Sequence, residues 1–178
     1  MSPALTCRVP SVFFAITGFK VYNSRMTLLF AFLIGLFAGL RSLTPPAAVA
    51  WAVYLGWLTL ERPLALVGSL AAVIILSVLA IAEVIYDKLP NTPARTAPPG
   101  LIGRIVTGGF TGACVSLGAG KSAYFGAGLG VIGGAIGCFA GYQARARIVK
   151  SLRQPDFNIA LLEDLIAIGG SLFIVSRF

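Results

Sequence analysis

Six apolar segments, parted by proline, glycine and charge, take up most of the chain beyond residue 26, and their near-continuity constrains the fold more than any other feature. Long apolar runs without a two-residue alternation exclude the strands of a transmembrane barrel. Inside lipid every backbone N–H and C=O needs an internal partner, which leaves helices. The segments cover 27–40 (A), 47–60 (B), 63–86 (C), 105–117 (D), 122–144 (E) and 157–175 (F). At about 1.5 Å per residue a bilayer span takes about 20 residues. C, E and F reach that length; A, B and D are short and are expected to span thinly, to borrow flanking residues or to be re-entrant. A soluble domain does not combine 57% hydrophobic with 11% charged residues. The expected fold is all-α: a polytopic transmembrane bundle of about six helices, forming one domain over residues 26–178.

Residues 1–25 form a poorly defined extension. Their apolar piece, Val12 to Phe19, is short, Lys20 and Arg25 follow it, and no small-residue cleavage site is evident, so a secretory signal is not expected. Met26 reads as the biological start and the upstream stretch as a translated leader. Pro45 and Pro46 cannot continue helix A, because neither offers an amide proton and the residue before a proline avoids the helical region.

If all six segments cross, the loops A to B, C to D and E to F carry Arg41, Lys88, Arg95, Arg104, Arg145, Arg147, Lys150 and Arg153, eight cations against Arg62, Lys121 and Arg177 on the other side. Cytoplasmic loops collect Lys and Arg, so this places the first group in the cytoplasm and both termini outside. Counting Arg8, Lys20 and Arg25 raises the second side to six, so orientation depends partly on where translation begins.

Glycine recurs at four-residue spacing: Gly35 and Gly39 in A, Gly108 and Gly112 in D, and Gly126, Gly130 and Gly134 in E with Gly133, Gly137 and Gly141 beside them. That spacing lines one helix face with small residues and lets backbones approach closely, so helix E is expected at the centre of a glycine-packed bundle. The fragment from Ile34 to Gly39 reappears, with one change, from Ile136 to Gly141, a hint of internal repetition.

Several motifs read as packing or turns. Gly128, Gly130 and Gly133 satisfy GxGxxG but lie inside an apolar helix with no strand before it, and Gly120-Lys121-Ser122 lacks the glycine a phosphate loop needs five residues earlier, where Val115 stands. Cys7, Cys114 and Cys138 form no CxxC pair, and the last two sit in apolar runs as small packing residues. The chain has no histidine, which removes the commonest general base and metal ligand. The formal charge of +8 belongs to loop cations and not to nucleic-acid binding. No cofactor motif and no catalytic constellation is legible.

The acids carry more information, because ionisable groups in hydrocarbon are costly. Glu83 and Asp87 lie one turn apart near the end of C; Glu163 and Asp164 lie about two turns into F. In a six-span topology all four reach one membrane face, where Arg41 ends A, Arg104 opens D, and Arg145 and Arg147 close E. These eight side chains form the candidate substrate or ion site, with Glu83 and Glu163 as the deepest acids, Arg41 as their partner, and any surplus carboxylate free to take a proton or a hard cation. Structural neutralisation by an arginine or a helix end is the competing reading. The connector from Asp87 to Gly100, with four prolines, is either a rigid brace or a lid at the same mouth.

Gly-Leu-Arg-Ser-Leu-Thr-Pro from Gly39 to Pro45, Asp87-Lys-Leu-Pro90, Thr92 to Thr96, and Gly103-Arg104 with Gly108-Gly109 resemble the bacterial membrane family catalogued as domain of unknown function 4126. The resemblance covers most of the chain after Met26 and gives residues 1–25 no counterpart. It implies a small multi-pass inner-membrane protein and supplies no activity. The residues themselves point to a transporter or channel for a small solute or ion, since short proline-interrupted segments and intramembrane charge mark substrate sites. A non-catalytic scaffold or partner subunit is one rival. A membrane enzyme acting on a lipid head group is another, weakened by the missing histidine and nucleophile. The partners expected are the lipid bilayer and an unidentified solute or ion, with self-association left open.

Overall fold

A computed structural model describes residues 24–87, 98–152 and 156–178, and these are all-helical. In order they form α1 (Ser24–Leu40), α2 (Thr44–Tyr54), a 3-10 turn (Leu64–Gly68), α3 (Leu70–Tyr86), α4 (Pro98–Gly118), α5 (Ala123–Leu152) and α6 (Asp156–Val175). Two of them, α4 and α5 as far as Ile148, are long and apolar enough to cross a membrane, while α1 and α3 are shorter apolar helices.

The boundaries differ from the sequence reading where a local signal outweighs hydropathy. Segment B shrinks to the 11 residues of α2, which begins before Pro45 and Pro46. Proline fits the first turn of a helix, where its missing N–H is not needed. Segment C is broken: Ser69 leaves the helical region, and its hydroxyl caps α3 by accepting from the Ala72 amide at 3.3 Å. Segment D gains about two turns from Pro98, so Arg104 lies inside α4 and does not open it. Segment E runs on to Leu152 because Ala144 to Ser151 holds no helix breaker, which puts Arg145 and Arg147 within α5.

Glycine fixes the directions of the helices. A β-carbon at Gly35 or Gly39 would strike the backbone at Gly130 and Gly134; one at Gly133 or Gly137 would strike that of Phe32 and Leu36. Residue numbers rise together along α1 and α5, so the two run parallel. Gly112 meets Gly126, whereas Gly108 meets Gly130 with a β-carbon position only 2.6 Å from its carbonyl oxygen, so α4 runs antiparallel to α5. The glycines therefore do what their spacing implies: α5 lies between α1 and α4 at near backbone contact. The repeated hexapeptides face each other here, Gly39 against Gly137.

On α6 the buried stripe is Ile159, Ala160, Glu163, Asp164, Ala167, Ser171, Ile174 and Val175, while Leu161, Leu162, Leu165, Ile166, Ile168, Leu172 and Phe173 are exposed. The periodicity is helical but inverted, with charge inside and large apolar side chains outside. Along α3 only Val73 is buried. Exposed apolar surface of this extent is what a lipid or protein partner covers.

Candidate functional site: a charged elbow between two helices

Three residues, Arg41, Ser42 and Leu43, separate α1 from α2. Such a break leaves the last carbonyls of one helix and the first amides of the next without helical partners, and it sets the negative end of one helix dipole beside the positive end of another. Both ends are closed by ionisable side chains distant in sequence. Arg104 of α4, itself buried, donates from Nη1 to the carbonyl oxygens of Gly39 at 2.8 Å and Leu40 at 2.9 Å. Glu83 of α3 accepts from the Ser42 amide at 2.8 Å, the Ser42 hydroxyl at 2.6 Å and the Leu43 amide at 2.9 Å. Each charge meets the dipole end of opposite sign. Pro45 and Pro46 contribute by omission: both are buried in the first turn of α2, where two further N–H groups would have needed acceptors.

At the centre of the elbow is Arg41, whose side chain is fully buried and forms ion pairs with Asp87 at the end of α3 and Asp164 of α6. The guanidinium thus ties the elbow to two other helices. Glu163, one residue before Asp164, is 8% exposed and packs beside Gly141 of α5, where a β-carbon would lie 3.3 Å from its Oε1. Leu40 packs on the same glycine, so Glu163 belongs to the same neighbourhood.

The structure therefore gathers Arg41, Glu83, Asp87, Arg104, Glu163 and Asp164, from the elbow, the C-terminal end of α3, α4 and α6. Arg145, one turn beyond Gly141, is half-buried, and Arg147 is exposed. The pairing differs from expectation by one residue or one turn: Arg41 takes Asp87 and Asp164, while Glu83 serves the backbone. A missed participant is Ser42, whose hydroxyl completes the set of donors to Glu83. Its only sequence signal was its place beside a proline break. Among the described residues no group of three Asp, Glu, Cys or His side chains is disposed to hold a metal ion. Cys114 and Cys138 are buried and form no disulfide with each other. The connector of Asn91, Thr92, Arg95 and Thr96, with Lys88, lies outside the described residues, as do Cys7 and Met1 to Asn23.

In chemical terms the elbow holds four carboxyl groups and two guanidiniums in a small volume, two of the carboxyls sharing one cation. It can exchange ion pairs without exposing charge to the apolar surroundings, provided that a carboxylate released by Arg41 finds another positive partner.

No curated protein and no solved structure matches this chain. The family described as domain of unknown function (DUF4126) matches residues 28–176, a stretch that includes the whole elbow, and the chain belongs to that family.

Proposed function

We propose that this chain is a multi-pass membrane protein that moves a small solute or ion, and that the elbow between α1 and α2 is where the moving species or its coupling ion is handled. The observation that carries this reading is Arg41: a guanidinium with no exposed surface, at a helix break, shared by carboxylates from two other helices in a bundle whose outer surface is apolar. Broken helices that face ionisable groups build binding sites in transporters, where irregular backbone is tolerated only away from lipid. Ionisable groups buried together inside an apolar bundle are costly to desolvate, so six of them in one cluster call for a use. The excess of Lys and Arg at this end, with Lys88, Arg95, Lys150 and Arg153 counted from the sequence, supports a cytoplasmic placement in an inner membrane.

The test is flux into proteoliposomes, read as current on a supported membrane under imposed gradients of protons, sodium, potassium and chloride and with a panel of small solutes. Flux that requires the wild-type chain and is lost in Asp164→Asn supports the reading. Absence of any chain-dependent flux, or equal flux in the variant, rejects it.

One set of contacts favours a second reading, a non-catalytic scaffold: Glu83 and Arg104 commit their hydrogen bonds to backbone, as structural caps do. A native purification that always returns one stoichiometric partner would favour it.

A further inference from the structure

We propose that two aromatic girdles set the depth of this bundle in lipid, one level with the elbow and the other about 27 Å away, so that the charged elbow lies at a water interface and not at the bilayer midplane; this rests on the multi-pass reading above. On α5, Tyr124 and Tyr142 are both exposed and eighteen residues apart, which at about 1.5 Å per residue is about 27 Å. Tyr142 follows Gly141, the glycine that holds Glu163 and Leu40. On α3 the exposed Tyr86 precedes Asp87, the partner of Arg41. α3 itself, from Leu70 to Tyr86, rises about 24 Å before Ser69 breaks the helix. The Tyr124–Tyr142 spacing, with the length of α3 just under it, is close to the hydrocarbon thickness of about 30 Å. Tyrosine and tryptophan favour such interfaces because one end of the ring system is apolar and the other wet.

Between the girdles the surface carries no charge. The sequence has no Asp, Glu, Lys or Arg from Met26 to Leu40, Leu70 to Ala82, Ile105 to Ala119, Ser122 to Ala144 or Leu165 to Ser176. Trp51 lies at the midpoint: its indole Nε1–H donates to Ser77 Oγ at 3.0 Å, and Ser77 is nine residues, about 13 Å, from Tyr86. An outward-facing indole at that depth has no water to bond and needs an internal acceptor, which Ser77 supplies. Trp57 belongs to the far girdle, since Leu58 next to it packs on Gly118 at the end of α4.

The two tryptophans make the test direct. Trp57→Phe leaves Trp51 as the reporter and Trp51→Phe leaves Trp57. Each is reconstituted into phosphatidylcholine vesicles brominated either near the glycerol end or near the middle of the acyl chains. The expected result is a reversal of quenching order: Trp51 responds more to the mid-chain label, Trp57 more to the shallow one. A second pair, Tyr124→Trp and Tyr142→Trp in a chain lacking both native tryptophans, should behave as shallow reporters. Equal order for Trp51 and Trp57, or deep quenching at Tyr124 or Tyr142, overturns the girdles while leaving membrane insertion intact. No quenching by either lipid overturns insertion itself.

Discussion

Replacing Gly130 by alanine places one methyl group where α4 and α5 touch. Its β-carbon would overlap the Gly108 carbonyl oxygen, lie 2.8 Å from the Gly108 carbonyl carbon and 3.2 Å from the Gly112 α-carbon, against the 3.4 Å at which ordinary contact begins. Every obstacle is backbone, so no side chain can rotate away and the helices must separate. Overpacking of this kind costs about 1 to 3 kcal/mol. Against it stands the helix-forming advantage of alanine over glycine, about 1 kcal/mol. Gly128, two residues earlier on the same helix, supplies the control: a β-carbon there meets nothing within 4 Å, so Gly128→Ala gains the propensity and meets no clash. Propensity cancels between the two variants, and their difference is the overpacking term, about 1 to 3 kcal/mol with Gly130→Ala the weaker. Thermal unfolding in detergent, followed by the fluorescence of Trp51 and Trp57, measures it. Equal stability of the two variants, or a more stable Gly130→Ala, would refute the central placement of α5.

Three further outcomes follow from the elbow and its surroundings. Glu83→Gln keeps the shape of the side chain and one acceptor oxygen but sets its amide N–H₂ against one of the two donors, Ser42 or Leu43, so it should lose about 1 to 3 kcal/mol in the same melt; an unchanged melting temperature would remove Glu83 as the cap of α2. Arg104→Met takes the donor from the Gly39 and Leu40 carbonyls and should lower stability by about 1 to 3 kcal/mol, with a melt equal to the parent's as the contrary result. In a chain free of native cysteines, Arg147→Cys should resist a membrane-impermeant thiol reagent in intact cells while Lys121→Cys reacts, and the opposite pattern would invert the orientation.

What the sequence disclosed depended on how local the deciding physics was. Gly126, Gly130 and Gly134 announced a packing face because four-residue spacing is a property of one helix. The break after Leu40 was visible in Pro45 and Pro46, two residues that alter their own backbone. Segment C misled because hydropathy outweighed a cap signal that was present, Gly68 and Ser69 just before an apolar run. The end of α5 was placed too early because charge was read as a boundary, although arginine and alanine extend a helix well. Six of the eight candidate side chains lie together at the elbow, but which pairs with which was not legible: Glu83 and Asp87 share a helix face, and only the position of the elbow across from them decides that the first takes amides and the second takes Arg41. Contacts across more than forty residues leave no local trace.

On the proposed function, the triad of Arg41, Asp87 and Asp164 is kept for ion or solute handling and not for stability. Replacing all three at once, Arg41→Met with Asp87→Leu and Asp164→Leu, removes both members of each ion pair, while Glu83 and Arg104 keep their backbone partners. Exchange of a buried ion-pair network for apolar side chains of similar volume is often neutral or stabilising, by about 1 to 4 kcal/mol, whereas loss of a single partner costs about 3 to 5 kcal/mol. Flux and melting temperature should be recorded on one preparation of the triple variant. The expected outcome is a protein at least as stable as the parent that carries no flux; a folded triple variant with flux equal to the parent's would rule out a functional role for the triad.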